Sequence, residues 1–165
     1  MDKTKIGKVS SLIIAIIVLC LSLQSTHDWS AVGIYSGCRL SCRILYPFYH
    51  ANIIHATLNA WCLLSIVFIY NITLWRLALA YTIAAFIPSL CLSSIPTVGL
   101  SGIVFVLFGS LSFEVARKLY YQSWMLLYLA VGFFFPGTNA WVHLYCYMAG
   151  IIIALLNKPV KFKKP

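Results

Sequence analysis

Acidic side chains are almost absent from this sequence of 165 residues, which contains only Asp2, Asp28 and Glu114. Charged residues of both signs make up 9% of the chain, whereas hydrophobic residues make up 62%. A typical soluble domain is about half apolar and a quarter charged, so a soluble fold of this length cannot bury this much apolar surface. We therefore expect a single domain that is embedded in a lipid bilayer.

The shortage of carboxylates also excludes several catalytic chemistries. An intramembrane aspartyl protease needs two carboxylates within its membrane spans, and none of the apolar segments contains one. A metalloprotease of the H-E-x-x-H type needs a glutamate beside its histidines, and no glutamate lies near a histidine in this sequence. No pair of cysteines has the C-x-x-C spacing of a zinc or redox site. We expect neither a metal nor a cofactor.

Basic residues flank the apolar segments and give the chain a net charge of +9. The terminal lysines are Lys3, Lys5, Lys8, Lys158, Lys161, Lys163 and Lys164. Basic flanks of this kind are typical of proteins that contact anionic lipid surfaces. A nucleic-acid-binding protein would instead carry a basic stripe among exposed aromatic residues. We expect the lipid bilayer, and not a nucleic acid, to be the partner of these charges.

Six apolar segments predict the architecture. Spanning the hydrocarbon takes about 20 apolar residues, and fewer where neighbouring helices shield the segment. The predicted segments are 10–24, 48–70, 74–92, 99–113, 121–135 and 139–156. We predict an all-α membrane protein, a bundle of six transmembrane helices over residues 10–156. An N-terminal tail (1–9) precedes the bundle and a basic tail (157–165) follows it.

The first two segments are separated by a polar stretch, residues 25–46. Six spans place both termini on one side, together with Arg76, Arg117, Lys118 and the terminal lysines. The opposite side keeps Arg39 and Arg43, so the positive-inside rule predicts cytoplasmic termini. Segments two, four and six then begin at a common level on the outer side. Two cysteines of the polar stretch, Cys38 and Cys42, can pair if that side is oxidising.

The polar residues with catalytic potential lie near the starts of segments two, four and six. Segment two carries His50, His55 and Asn59, of which the last two lie one helical turn apart on the same face. Segment four begins with Gly99-Leu100-Ser101-Gly102, in which the glycines allow a substrate backbone to approach closely. Individually, each of these residues is also compatible with a plain hydrogen-bonding role between helices.

Segment six carries His143 about one turn after its start, at the depth predicted for Ser101. A serine becomes nucleophilic when a neighbouring base takes its proton. Glu114 follows Ser101 by thirteen residues, about 20 Å at helical rise, and nothing places Asp28 beside His143. We therefore predict a Ser-His dyad rather than a Ser-His-Asp triad.

The order of these motifs resembles the rhomboid family of intramembrane serine proteases. The matching elements are H-x4-H-x3-N at His50, His55 and Asn59, G-x-S-G at residues 99–102, and a histidine in the last segment at His143. One departure is Phe105, four residues after the serine, where well-studied bacterial members have a tyrosine that packs on the catalytic histidine.

This resemblance implies the roles of the site residues. It makes Ser101 the nucleophile and His143 its general base and acid. It assigns stabilisation of the oxyanion to His55, Asn59 and the backbone N–H of Ser101. The supporting residues that it implies are His50, Gly99, Gly102 and Phe105.

The resemblance also implies an activity, cleavage of other membrane proteins in or near their transmembrane segments. It implies a multi-pass protein of the bacterial cytoplasmic membrane whose active site opens to the outer face. Two alternatives remain open from the sequence. One is a catalytically silent rhomboid-like protein that binds membrane clients, and the other is a small transporter or structural membrane protein.

Overall fold

The computed structural model describes residues 2–24, 28–135 and 137–156 of the chain. Within these residues there are seven α-helices and no β-strand, which confirms the all-α class. The helices are α1 (Lys3–Ser22), α2 (Leu40–Leu45), α3 (Ile53–Tyr70), α4 (Leu74–Ala85), α5 (Ser101–Ser110), α6 (Lys118–Gly132) and α7 (Ala140–Leu156). The predicted basic tail, residues 157–165, and its four lysines lie outside the described residues.

Two of the described helices, α1 with 20 residues and α3 with 18, are long and apolar enough to cross a bilayer. The helices α4, α5 and α7 are apolar but shorter. The third and fourth predicted segments, 74–92 and 99–113, contain helices of 12 and 10 residues. Helix length and composition therefore identify two spanning candidates among the described residues, not six.

Local capping explains where several helices begin. The first helix starts at Lys3, within the predicted N-terminal tail, because an Asp2 side-chain oxygen accepts a hydrogen bond from the Thr4 N–H at 3.0 Å. The third helix starts at Ile53 because the Asn52 side chain caps its first turn. The fourth helix ends at Ala85, shortly before Pro88, because a proline disfavours helical backbone in the residue that precedes it.

The centre of the molecule is α5, which is buried at eight of its ten residues. It packs against α7 through two facing glycines, Gly109 and Gly150. A Cβ atom at Gly109 would overlap the carbonyl oxygen of Tyr147, and one at Gly150 would overlap the carbonyl oxygen of Val106. The two helix backbones are therefore in direct contact, and only glycine permits this separation.

The polar stretch between α1 and α3 contains a helix, α2, that the sequence did not predict. This stretch is bound to the segment that precedes α5. Ile34 and Thr97 exchange two backbone hydrogen bonds of 2.9 Å, and the Gly99 N–H donates to the Tyr46 carbonyl at 2.9 Å. Arg43 also donates to the Ile87 carbonyl at 2.7 Å. These bonds hold the backbone that leads into α5.

An ion pair lies at the opposite end of α5. Arg76 of α4 contacts Glu114 at 2.8 Å and donates from Nε to the Ser110 hydroxyl at 2.9 Å. It also donates to the Ser110 carbonyl. The pair is partly exposed, so we expect it to contribute at most about 1 kcal/mol to stability. Its main structural effect is to join α4 to the C-terminal end of α5.

Candidate active site

Ser101 and His143 meet where α5 and α7 begin. The distance between Ser101 Oγ and His143 Nε2 is 2.9 Å. Ser101 is the first residue of α5, and His143 lies in the first turn of α7. The two helices run side by side in the same direction, so their first turns lie together, although the residues are 42 positions apart in the sequence. This distance allows direct proton transfer between the hydroxyl and the imidazole.

A stack of three rings fixes the orientation of the His143 imidazole. The ring of Phe105 lies 4.4 Å from it, centroid to centroid, with an angle of 18° between the planes. Tyr128 of α6 also stacks on Phe105, at 5.6 Å and 17°. The predicted packing of Phe105 on the histidine is therefore present without a hydroxyl group. Tyr128 was missed because no periodicity of α6 distinguishes it from other aromatic residues of that helix.

The two histidines of the α3 region surround Gly99. His50 is buried, and its Nε2 accepts a hydrogen bond from the Leu100 N–H at 3.1 Å. This acceptor role requires a neutral imidazole that carries its proton on Nδ1. Gly99 has φ +137°, in the region that favours glycine, and a Cβ there would lie 3.0 Å from His55 Cε1. His50 thus orients the turn before Ser101, and His55 lies against that turn.

Hydrogen-bond donors suitable for an oxyanion lie in the same region. The first N–H groups of an α-helix have no acceptor within the helix, and the side chain of the N-cap residue Leu100 does not cap α5. The Ser101 N–H belongs to this turn. Asn59 lies one turn beyond His55, and its Nδ2 donates to the His55 carbonyl at 3.0 Å. Both side chains line the cavity that contains Ser101.

Gly102 is held by a residue that the sequence did not single out. A Cβ at Gly102 would lie 2.6 Å from the hydroxyl oxygen of Tyr46, so a side chain here would displace that hydroxyl. That hydroxyl donates to the Ala84 carbonyl at 3.0 Å, and Tyr46 is almost completely buried. Tyr46 therefore connects α4 to the start of α5, through its side chain and through its bond to Gly99.

None of the three carboxylates contacts His143. Asp28 accepts hydrogen bonds from the Ser30 N–H at 2.9 Å and from the Ser30 hydroxyl at 2.6 Å. These bonds hold the pKa of Asp28 below its usual value. Glu114 is paired with Arg76, and Asp2 caps α1. The geometry is therefore that of a dyad.

Neither a metal site nor a disulfide is found in the described parts of the chain. No three side chains among His, Cys, Asp and Glu are grouped there so that they could hold a metal ion. Cys38 and Cys42 are free thiols. The Cys42 thiol instead lies 3.4 Å from the Ala31 carbonyl oxygen, within the polar stretch.

A cavity of about 650 Å³ adjoins the dyad. Its walls come from α3, α5, α6, α7 and the turn between the last two helices. The lining residues are His55, Leu58, Asn59, Cys62, Ser101, Val104, Phe105, Phe108, Trp124, Met125, Tyr128, Val131, Gly132, Phe135, Thr138 and His143. Most of this lining is apolar. A volume of this size is sufficient for a small-molecule ligand or a short peptide segment.

Comparison with known proteins finds no matching family model, no matching curated protein and no matching solved structure. Function is therefore inferred from the chemistry of the site itself.

Proposed function

We propose that the chain is an intramembrane serine endopeptidase of the rhomboid type. The observation that carries this proposal is the 2.9 Å separation of Ser101 Oγ and His143 Nε2 beside a largely apolar cavity. A nucleophile and a base within hydrogen-bonding distance are the minimum for acyl transfer. The ring of Phe105, which orients the imidazole, and the donors near Ser101, which can stabilise an oxyanion, also support the proposal.

The proposed membrane arrangement has six spans, formed by α1 and α3 to α7. Helices α1 and α3 are long enough to span alone. Helix α5 is only about 15 Å long at helical rise, but it is shielded from lipid by its neighbours. Large apolar side chains remain exposed on the outside, including Ile16 (60%), Trp61 (71%) and Leu126 (60%). Lipid contact would remove this surface from water.

The positive-inside rule predicts cytoplasmic termini, and the dyad would then face the outer side of the membrane. We propose the bacterial cytoplasmic membrane as the location. The substrates are then the outer ends of transmembrane helices in other proteins. A helix hides its carbonyl groups in its own hydrogen bonds, so cleavage requires local unwinding. Glycine and proline near the cut favour that unwinding, and the resemblance suggests a small residue before the cut.

The dyad supplies each proton transfer of the reaction. Ser101 Oγ attacks the scissile carbonyl carbon while His143 Nε2 accepts the hydroxyl proton. The Ser101 N–H, with His55 and Asn59, stabilises the negative charge that develops on the carbonyl oxygen. His143 then donates its proton to the leaving amine, and an acyl-enzyme remains. Water hydrolyses this ester with His143 again acting as the base.

The direct test is cleavage of a transmembrane substrate by detergent-solubilised protein. Ser101→Ala removes the nucleophile and should reduce cleavage by more than about 10³-fold, because the proposed acyl-enzyme forms on the Ser101 hydroxyl. Ser123→Ala is the matched control, since the hydroxyl of Ser123 is exposed on α6 and bonds only to the Leu119 carbonyl. Product bands that form equally fast with wild type and Ser101→Ala would contradict the proposal.

Phe105 provides a second test. Phe105→Leu removes the ring that stacks on the His143 imidazole and should lower kcat about three- to tenfold, the loss expected from one aromatic contact. Phe105→Tyr keeps the ring and should retain most of the rate. The measurement is the initial rate of substrate cleavage at saturating substrate. If the leucine variant cleaves as fast as wild type, the stack does not orient the base.

A further inference from the structure

The cavity beside the dyad is elongated along the helices. On α5 its lining runs from Ser101 to Phe108, about 10 Å at helical rise. Helix α6 runs in the opposite direction along it, since Tyr128 stacks on Phe105 and the Tyr121 hydroxyl donates to the Phe108 carbonyl at 2.8 Å. Trp124 therefore lines the end near Phe108. That end, farthest from Ser101, is here called the deep end.

The two ends of the cavity differ in polarity. Ser101, His143, His55 and Thr138 supply polar atoms at the end where α5 and α7 begin. The deep end is lined by apolar or weakly polar side chains, namely Cys62, Phe108, Trp124 and Met125. The cavity, here called the slot, is thus apolar at its deep end and polar beside the nucleophile. An unbranched hydrocarbon chain with one polar carbonyl group at its end matches this shape and polarity.

We propose that the same dyad also hydrolyses carboxylic esters of lipids that carry decanoyl-length acyl chains, with the acyl chain in the deep end of the cavity. This inference rests on the proposed function, because it uses the same nucleophile and the same membrane orientation. In the outer leaflet, the ester carbonyls of lipids lie near the membrane surface and their chains point toward the bilayer centre. The slot has the same direction, since its mouth is at the outer level and its deep end lies farther into the membrane.

Ester hydrolysis needs only Ser101, His143 and a water molecule. Ser101 Oγ forms a bond to the ester carbonyl carbon, and His143 accepts the serine proton. The bond from that carbon to the alcohol oxygen then breaks, and His143 returns the proton to the leaving alkoxide. Water attacks the acyl-serine with His143 as the base, which releases the fatty acid and restores Ser101. An alkoxide leaves more readily than an amine anion, so the step demands less of the acid than peptide cleavage does.

Cys62 offers a way to shorten the slot. It lies on α3 seven residues after His55, about 10 Å farther along the helix, and it lines the deep end. Cys62→Trp would fill this end while leaving Ser101 and His143 unaltered. Cys20→Trp is the matched control, because Cys20 is exposed on α1 and is absent from the cavity lining.

The experiment compares p-nitrophenyl decanoate with p-nitrophenyl acetate in detergent, using kcat/KM. We expect wild type to favour the decanoate at least tenfold and Cys62→Trp to reduce this ratio about tenfold. Cys20→Trp should keep the wild-type ratio, which cancels any effect of partitioning into micelles. Ser101→Ala should hydrolyse neither ester. A decanoyl lysophospholipid should release decanoate with the same dependence on Ser101, and its resistance to hydrolysis would overturn the assignment to lipid esters.

The outcomes separate this inference from the proposed function. Cleavage of a transmembrane substrate without hydrolysis of decanoate overturns the inference alone. Hydrolysis of decanoate that survives Ser101→Ala also overturns it. Failure of both reactions with wild type contradicts the protease proposal as well. If Cys62→Trp fails to fold, a competition experiment with the wild-type protein tests the inference. Decanoyl lysophospholipid should then inhibit cleavage of the transmembrane substrate competitively. Absence of inhibition would overturn the inference.

Discussion

His143→Ala should lower substrate cleavage by about 10³-fold or more, with the helical fold retained. The variant removes the base that lies 2.9 Å from Ser101 Oγ, and general-base catalysis alone is worth about 10²- to 10⁴-fold. The loss should appear mainly in kcat, because binding of the substrate helix does not depend on the imidazole. The measurement is steady-state cleavage of a transmembrane substrate, with circular dichroism to verify the fold.

A control variant and a rescue experiment test whether the loss of cleavage is due to the missing base. Met148→Ala is the control, because Met148 is half exposed on the same helix and outside the cavity lining. Added imidazole should partly restore cleavage by His143→Ala, since the deletion leaves an imidazole-sized space beside Ser101. Imidazole should not rescue Ser101→Ala. A His143→Ala protein that cleaves at the wild-type rate without imidazole would refute the dyad.

Gly109→Ala and Gly150→Ala should each destabilise the protein by about 3 kcal/mol or more. The added methyl group would overlap a carbonyl oxygen of the facing helix, and a backbone cannot move aside as a flexible side chain does. Helices α5 and α7 must then separate, which also moves Ser101 away from His143. Both stability and cleavage should therefore fall. Thermal unfolding in detergent measures the first effect.

Gly132→Ala, in α6, is the control for this experiment. A Cβ there meets only ordinary contacts, the nearest being the Cβ of Ala140 at 3.8 Å. Alanine is a better helix former than glycine by about 1 kcal/mol, so this variant should be as stable as wild type or slightly more so. Equal melting temperatures for Gly109→Ala, Gly150→Ala and Gly132→Ala would show that the backbone contact is not needed.

Much of the architecture could be predicted from the sequence because apolar segments of this length have few alternatives to helix. The all-α class and the approximate position of each long helix follow from it. The predicted helix ends were less accurate than the predicted helix positions. Single side chains set these ends, namely the caps at Asp2 and Asn52 and the proline at Pro88. In the sequence, their effect on the predicted helix ends is small compared with the strong hydropathy signal. Helix α2 was missed because its six residues lie in a polar stretch.

The proximity of Ser101 and His143 could also be predicted, because both lie near the starts of segments that run in the same direction. The residues that fix their geometry could not. Tyr46 contacts Gly102 from 56 positions earlier in the chain, and Tyr128 reaches Phe105 from a neighbouring helix. Such contacts depend on the packing of helices in three dimensions. A single sequence carries no periodic signal for them.

The partners of the dyad are 42 residues apart, and one of them belongs to α7, the last described helix. On the proposed function, the nucleophile enters the membrane during synthesis before its base exists. A nascent chain that lacks α7 would then carry a serine without activation, and hydrolysis would begin only after α7 has been inserted and has docked against α5. Incomplete copies of the protein would therefore be inactive as proteases.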